Sequence, residues 1–262
     1  ACLVGSEMCI RDRFKGYRRK TEEQRVLVIR GSQGAGKSVL AIKGGAYIYA
    51  FNDMDDNLPP EERYKNYQIA LLHLVIDPVQ LLNFIDFLRT YGLRAPYLII
   101  DDAQLFFSST IFQRNRKLDE MIDNTLTLIR SYIMTVTMTL PTNESALHRR
   151  IRDMEGVYLV YVRNPPSDNV LMKLNNDPKY RVYYSEYRIY TRSVFRKRLV
   201  KYHIRYEDYV DGEPKKMSSY NGIYKRLLPD QIYGIYKMVR ESYIRLVQAV
   251  YSKNEEARKE QI

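Results

Sequence analysis

Apolar positions along the chain fall into two rhythms that alternate. "RVLVIR", Arg25 to Arg30, is a short β-rich apolar run, and "SVLAIKGGAYIYAF" behind it reads as a helix. "NDMDDNLPPEERYKN" is polar, acidic and proline-containing, which predicts a surface connection carrying a short helix after Pro60. "HLVID" then reads as a second buried strand. Asp77-Pro78 is a helix start, followed by an apolar face of Leu81, Leu82, Phe84, Ile85 and Leu88 and a stop at Gly92. "PYLIIDDAQ" is a strand that ends in two acids, "KLDEMIDNTLTLIRS" is helical by period, and "YIMTVTMT" is β-branched enough for another strand. Strands alternating with helices predict an α/β fold with a mostly parallel sheet and crossover helices.

From about Asn164 the rhythm changes. "YRVYYSEYRIY" and "RLVKYHIRYEDYV" read as antiparallel strands, the second with Val200, Tyr202, Ile204 and Tyr206 on a dry face and Lys201, His203, Arg205 and Glu207 on a wet one. A closing helix, "PDQIYGIYKMVRESYIRLVQAVY", is expected to fray into the charged tail "SKNEEARKEQI". The expected organisation is therefore a core over residues 14–163 and a β-rich extension with a closing helix over 164–262, packed on the core. Residues 1–13, "ACLVGSEMCIRDR", resemble a translated sequencing-adapter tail and are set aside as non-native.

Composition narrows the chemistry. Both cysteines, Cys2 and Cys9, lie in the segment set aside, so disulfides, thiol catalysis and cysteine-ligated zinc are excluded for the rest. His73, His148 and His203 are too scattered to form a metal-ligand pattern. No run approaches the length of a membrane-spanning helix. The 24 tyrosines, with no tryptophan, read mainly as core and sheet aromatics. A formal charge of +11 points to a polyanionic partner, nucleic acid before others, with a solvated basic surface as the plainer explanation.

Gly31 to Ser38, "GSQGAGKS", fits G-x-x-x-x-G-K-[ST], a phosphate-binding loop, between a strand and a helix as that mechanism needs. Gly31, Gly34 and Gly36 let the amides of Ser32, Gln33, Ala35 and their neighbours through Val39 converge on an anion, and the helix N-terminus adds its positive dipole end. Lys37 is expected on the β- and γ-phosphates and the Ser38 hydroxyl on Mg²⁺. Asp101, at the end of a buried strand, suits a Mg²⁺-liganding carboxylate acting through water, and Asp102 beside it suits orienting or deprotonating an attacking water. A pair of acids capping a helix is the structural alternative. Thr139, at the end of the next strand, is a candidate to contact the γ-phosphate or its water, or a plain strand threonine. After Pro141, Asn143 and Glu144 start a short helix on which Arg149 and Arg152 point away from Leu147, Ile151 and Met154. They are either fingers for a neighbouring subunit's nucleotide or a solvated basic face.

With these segments in view, the chain resembles the additional-strand class of P-loop ATPases, which includes the AAA+ and HerA/FtsK groups. "HLVIDPVQLLNFI", "PYLIIDDAQ" and "TMTLPTNESALHRRIRDM" are similar to segments of small ATPases encoded by archaeal viruses and plasmids, over roughly Arg25 to Val162. The resemblance implies a P-loop NTPase fold, ATP and Mg²⁺ as nucleotide and cofactor, and Lys37, Ser38, Asp101 and Asp102 as their residues. It also implies Thr139 as a sensor, Arg152 as the first choice of finger before Arg149, and a cytoplasmic homo-oligomer, possibly a ring. Two departures stand out: Asp102 replaces the commoner Glu, and Thr-Leu-Pro ends the sensor strand without the Gln of HerA/FtsK translocases. The β-rich C-terminal part also differs from the helical lid of AAA+ proteins.

The expected activity is Mg-dependent ATP hydrolysis coupled to DNA handling, whether replication, loading or genome packaging. The alternatives are a nucleotide-gated DNA-binding or assembly protein with little turnover, and a small-molecule or nucleoside kinase. The DNA surface is expected on "RSVFRKRLVKYHIR", through Arg196, Lys197, Arg198, Lys201 and Arg205, a line of cations with nothing to read base edges.

Overall fold

The computed structural model describes residues 24–49, 60–104, 124, 127–140, 157–191, 207–210, 213–216 and 220–259. Its centre is a mixed seven-stranded sheet flanked by helices. The elements are β1 Arg25–Gly31, α1 Lys37–Tyr49, α2 Pro60–Leu72, β2 Leu74–Val75, α3 Pro78–Thr90, β3 Leu98–Ile100, β4 Thr135–Leu140 and β5 Val157–Arg163. They continue with α4 Asp168–Lys173, α5 Pro178–Tyr183, β6 Tyr184–Thr191, β7 Glu207–Val210, β8 Glu213–Lys216, β9 Tyr220–Lys225 and α6 Asp230–Lys259. Strand order is β2-β3-β4-β1-β5-β6-β9, and β7 with β8 forms a separate hairpin. The first five are parallel; β6 runs antiparallel to β5, and β9 antiparallel to β6.

β1 lies inside the sheet, so both of its faces are dry and its apolar run is unbroken. Val26 and Val28 join β3, β4, β5 and the inner face of α3, where Leu81, Ile85 and Leu88 are buried. Leu27 and Ile29 face the other way, into a layer built by α1, the end of α2 and the start of α6. Alternation along β5 follows the same rule, Leu159 on the first face and Val160 on the second. α1 packs tightly against its neighbours at Gly45, where a Cβ would come within 2.9 Å of the Tyr97 ring. Tyr97 is itself buried and fastened by hydroxyl bonds with Ala41 O (3.1 Å) and Thr137 Oγ1 (2.5 Å).

Most expected elements are present, with three differences. The helix after Pro60 is long, Pro60–Leu72, and its acids Glu61 and Glu62 lie in the first turn, where the helix dipole favours them. "YRVYYSEYRIY" is not all strand: Pro178–Tyr183 is helical because Asp177 caps it, accepting from the Lys179 amide at 3.0 Å, with Pro178 at its start. The closing helix does not fray at Tyr251 but runs to Lys259, through a tail rich in Lys, Glu, Ala and Arg, all strong helix formers. The α3 start is as read, with the Asp77 carboxylate accepting from Gln80 N at 2.9 Å and Gly92 in the left-handed region at φ 60°. The adapter-like residues 1–13, most of the helix expected over 117–131, the segment with Arg149 and Arg152, and the cations Arg196, Lys197, Arg198, Lys201 and Arg205 lie outside the described residues.

Glu186 on β6 is almost fully buried and joins two segments: it accepts from the Ser167 amide ahead of α4 at 2.9 Å and from Arg188 Nε at 2.7 Å. Burial opposes its charge, but the Ser167 and Arg188 hydrogen bonds outweigh that and hold its pKa below the ordinary 4.5. A depressed carboxylate contributes stability above its unfolded pKa and loses it as pH falls through the folded one. Glu186→Gln is therefore expected to lower stability by about 1–3 kcal/mol at pH 7. The gap to wild type should close as the pH falls below 4.5, read by thermal unfolding across a pH series.

Candidate functional site at the carboxyl ends of the strands

The loop after β1, the acids after β3 and the end of β4 meet at the carboxyl edge of the parallel strands. This is where open α/β sheets build ligand sites, beside the strand at which the chain switches direction. β1 is that strand, since β4 lies on one side of it and β5 on the other. Register brings Thr139 level with Ile29, and β3 places Ile100 beside Met138, so the residue after β3 arrives next to Thr139.

The glycine loop is shaped by close approach as much as by turning. At Gly31 a Cβ would lie 2.2 Å from Val162 O, so no side chain fits between β1 and β5 there. Gly36 takes φ 88°, and a Cβ on it would meet the Tyr224 hydroxyl at 3.0 Å. Ser185 Oγ donates to Ala35 O at 2.8 Å, the Tyr224 hydroxyl contacts Ala35 O at 3.1 Å and Gly36 O at 2.9 Å, and Arg226 Nη1 donates to Gly34 O at 3.2 Å. Arg226 also reaches Val182 O. The carbonyls of Gly34, Ala35 and Gly36 are thus bound by side chains of β6, β9 and the residue after β9. Gln33 and Gly34 are exposed and line the cavity over the loop with Val39, Ser32 is exposed, and Ala35 is buried.

Lys37 Nζ donates to Gly31 O and Ser32 O, both at 2.9 Å. Burial lowers its pKa; Asp102 and Asp101 pull it back up, and Arg240 pushes the same way as burial. Ser38 Oγ donates to Asp101 Oδ1 at 2.8 Å. The same carboxylate, 1% exposed, accepts from Thr139 Oγ1 at 2.6 Å and, on Oδ2, from the Tyr236 hydroxyl at 2.8 Å. Thr139 also accepts from Asp102 N at 2.9 Å, so its hydroxyl is spent on positioning both acids. Asp102 takes φ 52°, the left-handed region, and its Oδ2 pairs with Arg240 Nη2 at 3.0 Å. Burial, then the nearby Asp101 charge, raise the Asp102 pKa against the pull of Arg240 and Lys37. A carboxylate raised in this way is closer to the pKa that proton transfer at neutral pH favours.

Lys37, Ser38, Asp101, Asp102 and Thr139 thus lie together at this edge of the sheet. The C-terminal contributors Ser185, Tyr224, Arg226, Tyr236 and Arg240 were not read from the sequence as site residues. Tyr224 and Tyr236 belong to the group read as core aromatics, and their rings are indeed buried, but their hydroxyls serve the site. The one signal available was the four-residue spacing of Tyr236 and Arg240, which puts them on one helix face.

The open cavity over the loop has a volume of about 640 Å³ and is lined by loop residues, Asp102, Arg226, Tyr236 and Arg240. Three cations, Lys37, Arg226 and Arg240, converge on it, and Arg226 Nε is buried with no hydrogen-bond partner among the described residues. An orphaned donor on a cation that lines the cavity fits an anionic ligand. The Ser38 hydroxyl and Asp101 carboxylate are both hard oxygen donors. Among the described residues no group of three His, Cys, Asp or Glu forms a metal cage. That donor set suits Mg²⁺, which keeps waters and phosphate oxygens as its remaining ligands.

Tyr224→Phe is expected to release the loop carbonyls it holds. It should cost about 1 kcal/mol, or roughly 2–4 °C of melting temperature, and speed hydrogen exchange at residues 35–38 while the sheet amides stay protected.

No family model matches the chain. It is similar to an uncharacterized protein, ORF286, of Acidianus two-tailed virus, 28% identical over 162 residues that make up 61% of this chain and 48% of that protein. The chain therefore spans about half the length of the curated relative it matches. Among solved structures it is similar to a chain of the E. coli MS115-1 HORMA:CdnC:Trip13 complex, at 14% identity and a TM-score of 0.37 over 67% of this chain and 65% of that one. Among the described residues no helix is long and apolar enough to cross a membrane. The chain is an α/β protein with a mixed seven-stranded sheet, and its similarity to a protein of an archaeal virus fits a viral origin.

Proposed function

We propose that the chain is a P-loop ATPase that hydrolyses a nucleoside triphosphate with Mg²⁺. The observation that carries this reading is the 2.8 Å hydrogen bond between Ser38 Oγ and Asp101 Oδ1, which joins the hydroxyl of the glycine loop to the acid of β3 across 63 residues of chain. An ordinary glycine turn has no reason to deliver a hydroxyl to a buried carboxylate. Lys37 and the loop amides bind the phosphates, Ser38 would hold Mg²⁺ with Asp101 acting on it through water, and Asp102 orients or deprotonates the attacking water. Mg²⁺, when bound, supplies charge neutralisation on the β- and γ-phosphates. Supporting the class is the position of β4 between β1 and β3, an additional strand separating loop strand from acid strand.

Coupling to DNA handling for a mobile genetic element belongs to the same proposal. It is supported by the net charge of +11 and by the similarity to a viral protein. The oligomer, the finger role of Arg152 or Arg149, and DNA contact through Arg196 to Arg198 extend it and are open to the same assays.

Lys37→Ala is expected to reduce turnover by at least about 100-fold, because it removes a charge-assisted phosphate contact. Unchanged steady-state hydrolysis would sink the ATPase reading. Asp102→Asn should retain nucleotide binding, read by titration calorimetry, and lose turnover by about 10²–10⁴-fold. Loss of binding in that variant would make Asp102 a structural residue or a direct metal ligand instead. Phosphotransfer to nucleosides without DNA-responsive hydrolysis would favour a kinase.

A further inference from the structure

The N-terminal turns of α6 present one face to the loop cavity, since Asp230, Tyr233, Tyr236 and Arg240 recur at three- and four-residue spacing and all line it. Tyr236 is tied to the buried acid and Arg240 to the half-buried one. The Arg240 side chain is 44% exposed, and Nη1 lies 3.5 Å from the Tyr236 hydroxyl. Arg240 and Lys37 face the same cavity as like charges, each attracted by both Asp102 and Asp101, so an anion entering between them meets two cations at once.

We infer that Arg240 is a catalytic arginine acting in cis, exchanging its partner from Asp102 to the γ-phosphate of a nucleotide seated on its own chain's loop. The inference rests on the hydrolysis reading above and deepens it. A γ-phosphate carries more charge than one carboxylate and accepts the guanidinium fork in two bonds, so the exchange is downhill. Releasing Asp102 frees its carboxylate for water in the same motion. The water oxygen then forms a bond to the γ-phosphorus as the bond to the β–γ bridging oxygen breaks. The bridging oxygen leaves with the electron pair on the diphosphate, and one water proton passes to Asp102. Arg240 meets the charge on the transferring group, while Tyr236 remains a positioning residue on Asp101. In this arrangement each chain carries its own arginine, and no neighbour needs to supply Arg152.

The test uses the full chain. Arg240→Ala is expected to lower kcat by about 10³-fold while leaving ADP affinity within about threefold. It should weaken binding of ADP with fluoroaluminate, a mimic of the transferring phosphoryl group, by about 10²-fold. Arg240→Lys keeps the charge and the helix but not the fork, and should remain at least about tenfold impaired. Equimolar mixing of Arg240→Ala with Lys37→Ala chains should restore no turnover, because no chain then has both an intact loop and its own arginine. Full kcat in Arg240→Ala, equal loss of ADP and ADP–fluoroaluminate binding, or recovery on mixing overturns the cis arginine alone, provided the wild-type chain hydrolyses nucleotide. A wild-type chain with no turnover overturns the ATPase reading and this inference with it.

Discussion

The rest of the site depends on one buried carboxylate. Asp101 is withdrawn from water to 1% exposure, a placement that costs several kcal/mol for a charge without compensation. Three hydroxyls offset that cost: Ser38 from the glycine loop, Thr139 from β4 and Tyr236 from α6. Because each donor comes from a different element, satisfying Asp101 also fixes where those elements lie relative to β3. Loss of any one donor leaves a lone pair on a buried charge, so the network holds together as a unit.

The second acid is built on opposite terms. Asp102 stands at φ 52° with its amide held by Thr139, partly open to the cavity and paired with Arg240. A left-handed backbone at a residue with a Cβ carries a strain of order 1 kcal/mol, maintained here by the bonds on either side of it. Neighbouring acids in such different surroundings differ in what they can do: Asp101 is buried and accepts from three hydroxyls, while Asp102 is partly open and paired with Arg240. Divided roles of this kind follow from environment, since the two side chains are chemically identical.

The C-terminal segments are part of the same construction. β6 and β9 extend the sheet beyond β5, and from there Ser185, Tyr224 and Arg226 hold the carbonyls of Gly34, Ala35 and Gly36. A glycine loop has wide conformational freedom, and these bonds to its carbonyls restrict it from outside the loop. α6 then covers the open side with Tyr236 and Arg240. The extension beyond residue 164 is thus part of the site, through Ser185, Tyr224, Arg226, Tyr236 and Arg240.

The sequence by itself determined the local pieces, because each is governed by interactions within a few residues. The glycine spacing of Gly31 to Ser38, the Asp77-Pro78 helix start, the apolar run of β1 and the paired acids after β3 all act at short range and are readable as pattern. The capped helix at Pro178–Tyr183 was misread because alternating tyrosines imitate a strand, while the Asp177 cap that overrides them is a single residue. Only the tertiary structure decided which strand lies beside which. The insertion of β4 between β1 and β3, and the placing of β6 between β5 and β9, follow from packing of both sheet faces and leave no periodic mark. The partners of Asp101 and Asp102 on α6 are separated from them by 135 and 138 residues. A tyrosine on an amphipathic helix looks the same in sequence whether its hydroxyl meets water or a buried carboxylate, and folding alone makes that difference.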